Sequence, residues 1–191
     1  MYTRAMLILW VLAALAAAGC RTTAGKPRSV DFSVNNATSI VVMGVSPPMR
    51  LRAYPGWQSG KEWERNEYAE PQINELPSDG YTVARVPPSA EGESYGILRA
   101  IPGVMNVLSV CTGMAAAVFQ VPKNEVVYVG DFTLVTGADN RVQVGFDYEK
   151  ALAYLRRTYP EFAGELAKSR AKVVTVKNGQ CDAGLVTFVK K

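Results

Sequence analysis

The chain of 191 residues contains no histidine. That single count removes the Ser-His-Asp and Cys-His mechanisms and every imidazole metal site. A serine hydrolase would then need a lysine as base, and no serine nucleophile is read from the chain. Paired carboxylates are the remaining route to hydrolysis. Between Lys61 and Glu93 stand eight acids against three bases, with Glu62, Glu64 and Asp79 as candidates for a glycosidase pair. Scattered glutamates in a Pro/Gly-rich stretch also read as solvated loop. The overlapping stretch from Tyr54 to Tyr81 holds Tyr54, Trp57, Trp63 and Tyr68. Aromatics with a polar tip beside acids can stack on sugar rings or anchor a protein partner; alternatively they pin a long loop to the body. Cys111 and Cys181 lie too far apart for a zinc motif, Asp139-Asn140 lacks the rest of a calcium loop, and no Gly-x-x-x-x-Gly-Lys occurs, so neither metal nor cofactor is expected.

What positions these residues begins with residues 1–19. Arg4 is the only charge before Arg21, and Ala5 to Ala18 is an apolar run of fourteen. A basic start, a short apolar stretch and small residues describe a secretory signal peptide, too short to span a bilayer unaided. The segment ends Ala17-Ala18-Gly19-Cys20. This resembles the lipobox of bacterial lipoproteins, departing from it where Ala17 replaces the commoner Leu. The resemblance implies a diacylglycerol thioether and an acylated amine on Cys20; ordinary cleavage after Ala18 is the competing reading. Several acyl chains on one residue hold a protein at the membrane essentially permanently. Arg21 is not the aspartate associated with inner-membrane retention, so the resemblance implies the outer membrane, facing the periplasm. Residues 20–29 form the lipidated end and a polar linker, whose nine residues reach about 15–18 Å at roughly 5–6 Å × √n.

Export changes the reading of the cysteines. With Cys20 lipidated, an even pair remains, and in an oxidising compartment parity favours a Cys111–Cys181 disulfide over two buried thiols. Without Arg4 the chain keeps 20 of its 21 bases against 17 acids. The bases from Lys150 onward are scattered over element faces, so solvated surface is the better reading and nucleic-acid binding is not expected.

Residues 30–191 read as one β-rich domain. Sixteen Gly and eleven Pro punctuate short alternating runs: Val30–Val34, Ser39–Gly44, Met49–Tyr54, Tyr81–Val86, Tyr95–Ile101, Val104–Cys111, Lys172–Val176 and Leu185–Val189. The clearest alternation, Ala115 to Phe146, predicts an antiparallel meander. Within it Val126, Tyr128, Phe132 and Leu134 share a parity, with Gly130 between them. Asp147 caps a helix carrying Leu152, Leu155 and Tyr159, and Pro160 opens a second short helix through about Lys168. The expected fold is an antiparallel β-sandwich or barrel with one or two helices near 147–168. The run Glu125-Val126-Val127-Tyr128-Val129-Gly130-Asp131-Phe132, followed by turn, strand and helix, is similar to a segment of small β-sandwich bacterial lipoproteins with no assigned chemistry; the likeness covers about residues 95–165 and carries over no active site. The expected function is an envelope-anchored interaction or structural module without catalysis, its partners the membrane and an envelope protein, peptidoglycan or polysaccharide. The alternative is a carboxylate-dependent polysaccharide hydrolase or a carbohydrate-binding module.

Overall fold

The computed structural model describes residues 29–191 except Asp182; the export segment and Cys20 lie outside the described residues. In chain order the elements are β1 (Ser39–Ser46), β2 (Arg50–Ser59), β3 (Glu62–Arg65), β4 (Tyr81–Val86), β5 (Glu93–Ile101), β6 (Leu108–Ser109), β7 (Ala115–Phe119), β8 (Val126–Val135), β9 (Arg141–Gly145), α1 (Tyr148–Thr158), β10 (Leu166–Lys168), β11 (Lys172–Val176), β12 (Gly184–Leu185) and β13 (Thr187–Lys190). The fold is mainly β, as expected. Strands β5, β2, β3, β11 and β7 pair in that order, and β7 returns to β5, closing a five-stranded barrel from which β6 and β12 extend. The second sheet runs β13-β9-β8-β1-β4, with β10 paired to β8 at Val126–Tyr128, where β9 does not reach.

Three layers result. Barrel and sheet enclose a core of Val41, Met43, Val45, Val127, Val129, Phe132 and Trp63, among others. On the sheet's other face Ile40, Val42, Val126 and Tyr128 pack against Ala151, Tyr154 and Leu155 of α1. Strand β1 is therefore buried on both faces, which is why Ile40 to Val45 lacks alternation. The helix starts where predicted, with the Asp147 carboxylate accepting from the Lys150 backbone N–H at 3.2 Å. That N-terminus is tied to the sheet, because Asp131 Oδ2 accepts both from the Tyr128 hydroxyl (2.6 Å) and from the Asp147 N–H (2.9 Å).

Several local expectations are corrected. The meander splits, since β7 belongs to the barrel while only β8 and β9 form a hairpin. Parallel pairs, β3 with β11 in the barrel and β1 with β8 in the second sheet, make both sheets mixed rather than wholly antiparallel. Along β8 the parity switches, so Val126 and Tyr128 face the helix whereas Phe132 and Leu134 face the main core. A register shift against β1 produces the switch beside Gly130, whose φ of 141° is open to glycine and strained for other residues. No second helix follows Pro160 among the described residues. Gly164 interrupts a segment too short to nucleate one, and Leu166–Lys168 instead pairs with the free stretch of β8. Phe162 and Leu166 still bury their side chains under α1. Val30–Val34 forms no strand ladder but lies extended, with Phe32 edge-on to Tyr159 at 5.2 Å and Arg85 donating to the carbonyls of Asp31 and Ser33. Of Val104–Cys111 only Leu108–Ser109 is strand.

Both packed layers bury tyrosines. Burial, with a smaller contribution from the charges of Asp131 and Asp147, pushes Tyr81 up to about 12, and burial followed by the Glu93 charge does the same for Tyr95. Tyr128, Tyr154 and Tyr159 are also raised, chiefly by burial. In the unfolded chain tyrosine ionises near pH 10. Between pH 10 and 12 the unfolded state therefore loses protons that the folded state keeps, and stability falls as pH rises, by about 1.4 kcal/mol per unit for each such tyrosine. Melting temperature should stay level up to about pH 9.5 and fall steeply above it. The phenolate absorbance of these buried tyrosines, read in a Tyr68→Phe background, should grow with unfolding rather than ahead of it.

Candidate functional site

Strands β2 and β3 separate the aromatics that the sequence groups together. The pairing Gln58 with Trp63 and Trp57 with Glu64 alternates the side chains in and out of the barrel. Trp63 is fully buried, and its Nε1 donates to Ser94 Oγ at 3.0 Å. The indole fits because Gly56 and Gly96 face it; a Cβ at residue 96 would stand 2.6 Å from the ring. Tyr54 is buried as well, with the Arg65 guanidinium carbon 5.3 Å from its ring centre. Neither Trp63 nor Tyr54 can contribute to a contact surface, because both complete the barrel's packing. Trp57 and Tyr68 remain outside, 44% and 97% exposed.

Trp57 stands on the outer face between two glutamates, opposite Glu64 on β3 and Glu93 on β5. Lys177 Nζ reaches Glu64 Oε2 at 2.9 Å, and the hydrogen bond to that carboxylate, reinforced by its charge, raises the lysine's pKa. Asn178 donates to the Arg65 carbonyl and accepts from the Arg65 N–H, holding the outer end of β3. Tyr68 follows in the turn where its N–H donates to Asn66 Oδ1. The arrangement offers an apolar platform with hydrogen-bonding carboxylates on both flanks. Glu93 and Lys177 were not singled out from the sequence; only strand register brings them beside Trp57.

A second concavity, a cleft of about 840 Å³, runs beside β4 and is lined by Asp31, Arg50, Glu75, Asp79, Tyr81 and Arg85, among others. Asp79 lies there, whereas Glu62 and Glu64 do not line it, so the structure does not gather the three carboxylates considered for glycoside cleavage. The Tyr81 hydroxyl facing this region is buried without a hydrogen-bond partner among the described residues.

Two serine spacings familiar from hydrolases are present, although none was read from the sequence. Gly92-Glu93-Ser94-Tyr95-Gly96 has the Gly-x-Ser-x-Gly spacing. A nucleophile elbow needs an exposed serine on a strand-to-helix turn. Ser94 is instead a buried strand residue whose oxygen accepts from Trp63. Ser169 and Lys172 stand at Ser-x-x-Lys spacing, but Ser169 Oγ donates to the Gln120 carbonyl at 2.6 Å. The chain from Ser169 into β11 is not helical, so these residues lack the shared helical face on which such a pair meets.

Cys111 and Cys181 are joined in a disulfide across 70 residues, with Cα atoms 5.0 Å apart. Among the described residues no helix is long and apolar enough to cross a membrane. No protein-family model matches the chain, and neither a curated protein nor a solved structure does.

Proposed function

We propose that this chain is a lipid-anchored protein of the bacterial envelope, facing the periplasm from the outer membrane, whose β domain is an interaction module rather than a catalyst. The observation that carries the reading is the Ala17-Ala18-Gly19-Cys20 sequence closing an apolar run of fourteen residues. The Cys111–Cys181 disulfide supports it, since such bonds persist in oxidising compartments. Metabolic labelling tests the anchor directly. Wild-type protein should incorporate radiolabelled palmitate and Cys20→Ser should not; equal labelling of the two, or none in the wild type, overturns the reading.

Trp57, with Tyr68 beside it in sequence, supplies the contact surface in this reading. An exposed indole flanked by Glu64 and Glu93 suits a sugar ring or a protein anchor point, and tethering near the membrane lets weak contacts suffice. Membrane-extracted protein should retain peptidoglycan or a co-eluting envelope protein on affinity purification. The Trp57→Ala, Tyr68→Ala variant should lose at least about ten-fold of that retention. Undiminished retention would remove this face from the proposal.

A further inference from the structure

Between Arg99 and Lys123 the chain has no charged residue, and the connection from β5 to β6 falls near the beginning of that stretch. Its tip, Val104-Met105, packs against nothing: Val104 is 100% and Met105 93% exposed. Two more exposed apolar side chains belong to the same end of the molecule. Leu185 pairs with Ser109 of β6, and its carbonyl accepts from Asn140 of the turn joining β8 to β9. Val135 is the last residue of β8 before that turn, opposite Arg141. Exposed apolar side chains gathered at one end of a molecule point to a contact that covers them.

The position of Ser29, the first described residue and nine residues after Cys20, points to what covers the tip. Ser29 lines the cleft that also takes Pro48 and Arg50, and Arg50 pairs across from Ile101, one residue before the tip loop. Arg50 stands at the foot of the tip in a cleft it shares with Asp31, Glu75 and Asp79, and Arg141 is 3.4 Å from Asp139, so the bases at this end are balanced by acids. The tip loop, Pro102 to Val107, carries no charge and so can pass a headgroup layer into an acyl interior.

We infer that the Val104–Met105 tip is a second membrane contact, inserting into the bilayer that holds the lipidated Cys20 and so fixing which face of the domain points away from it. This rests on the anchored reading above. The tip adds orientation more than affinity, because the acyl chains already hold the protein. It also turns the anchor from a free tether into a two-point mount.

The test uses full-length lipidated protein in vesicles of phosphatidylethanolamine and phosphatidylglycerol at roughly three to one. Met105→Trp adds a reporter at a site that touches nothing, and subtracting wild-type emission removes Trp57 and Trp63. In vesicles with brominated acyl chains the added emission should lose at least half its intensity and shift to the blue. Added emission that ignores the bromines and stays fully open to acrylamide in the water overturns the inference. Emission that shifts only after solubilised envelope proteins are added assigns the tip to a protein partner and overturns it equally. Palmitate labelling of the same preparation keeps the two failures apart: a labelled protein with a water-exposed tip loses only the second contact.

Discussion

Replacing Trp63 with alanine should lower the unfolding free energy by about 3–5 kcal/mol, with a fall in melting temperature on the order of 10 °C. The indole is fully buried inside the barrel, and two positions facing it are glycines. Gly56 and Gly96 have no side chain to swing in, so on those two sides the space the ring leaves stays open. The variant also strands Ser94 Oγ, which now accepts from the indole Nε1 at 3.0 Å. Trp63→Phe should cost less, losing the hydrogen bond and part of the ring. Gly96→Ala probes the same contact from the other side. Its new methyl would meet the ring at 2.6 Å and destabilise the wild type by about 1–3 kcal/mol. In the Trp63→Ala background most of that penalty should vanish, giving a coupling energy above about 1 kcal/mol in a double-mutant cycle measured by denaturant unfolding. Additive effects would mean that the ring does not fill the barrel as described.

Removing the disulfide should cost about 4 kcal/mol, measured on Cys111→Ala, Cys181→Ala against the oxidised parent. The bridge closes a 70-residue loop that runs through β7, β8, β9, α1, β10 and β11, so half of the second sheet's strands, β8, β9 and β10, lie inside it. Chain entropy in the unfolded state is what the crosslink removes, and the effect grows with the logarithm of loop length. The folded state should change little, because non-covalent contacts hold the same segments together. Gly179 N–H donates to Thr112 Oγ1 at 3.0 Å, and Gly113 N–H donates to the Val176 carbonyl at 2.8 Å. A lower denaturation midpoint with a steeper slope is expected, since the uncrosslinked unfolded chain exposes more surface. An unchanged midpoint would place the bond outside the cooperative unit.

Much of the fold was legible one segment at a time. Tyr81–Val86 and Lys172–Val176 form strands over the residues their alternation marks, and Asp147 caps the helix that Leu155 and Tyr159 announce. These features are local: side-chain period, turn residues and a capping carboxylate act within a few residues of themselves. Glu62-Trp63-Glu64-Arg65 was not legible as a strand. One apolar residue among charges reads as loop, yet a single large side chain is all this short strand needs to fill its share of the barrel.

The candidate site was less legible than the fold. Trp57 and Trp63 lie six residues apart and look alike in the sequence. Register between β2 and β3 sends one into the barrel and leaves the other between Glu64 and Glu93. The serine motifs fail by the same logic, since spacing without the turn that exposes the hydroxyl places Ser94 in the core.

Composition and alternation alone determined that the domain is β-rich, that a helix follows Asp147, and that histidine chemistry is excluded. Tertiary structure alone decided that β7 leaves its neighbours to close a barrel, that β8 changes face at Gly130, and which aromatics meet solvent. The division follows from range. A strand's two faces are set by its own period of two, whereas its partners and register are set by residues far along the chain, and slipping by one residue turns every side chain to the other side.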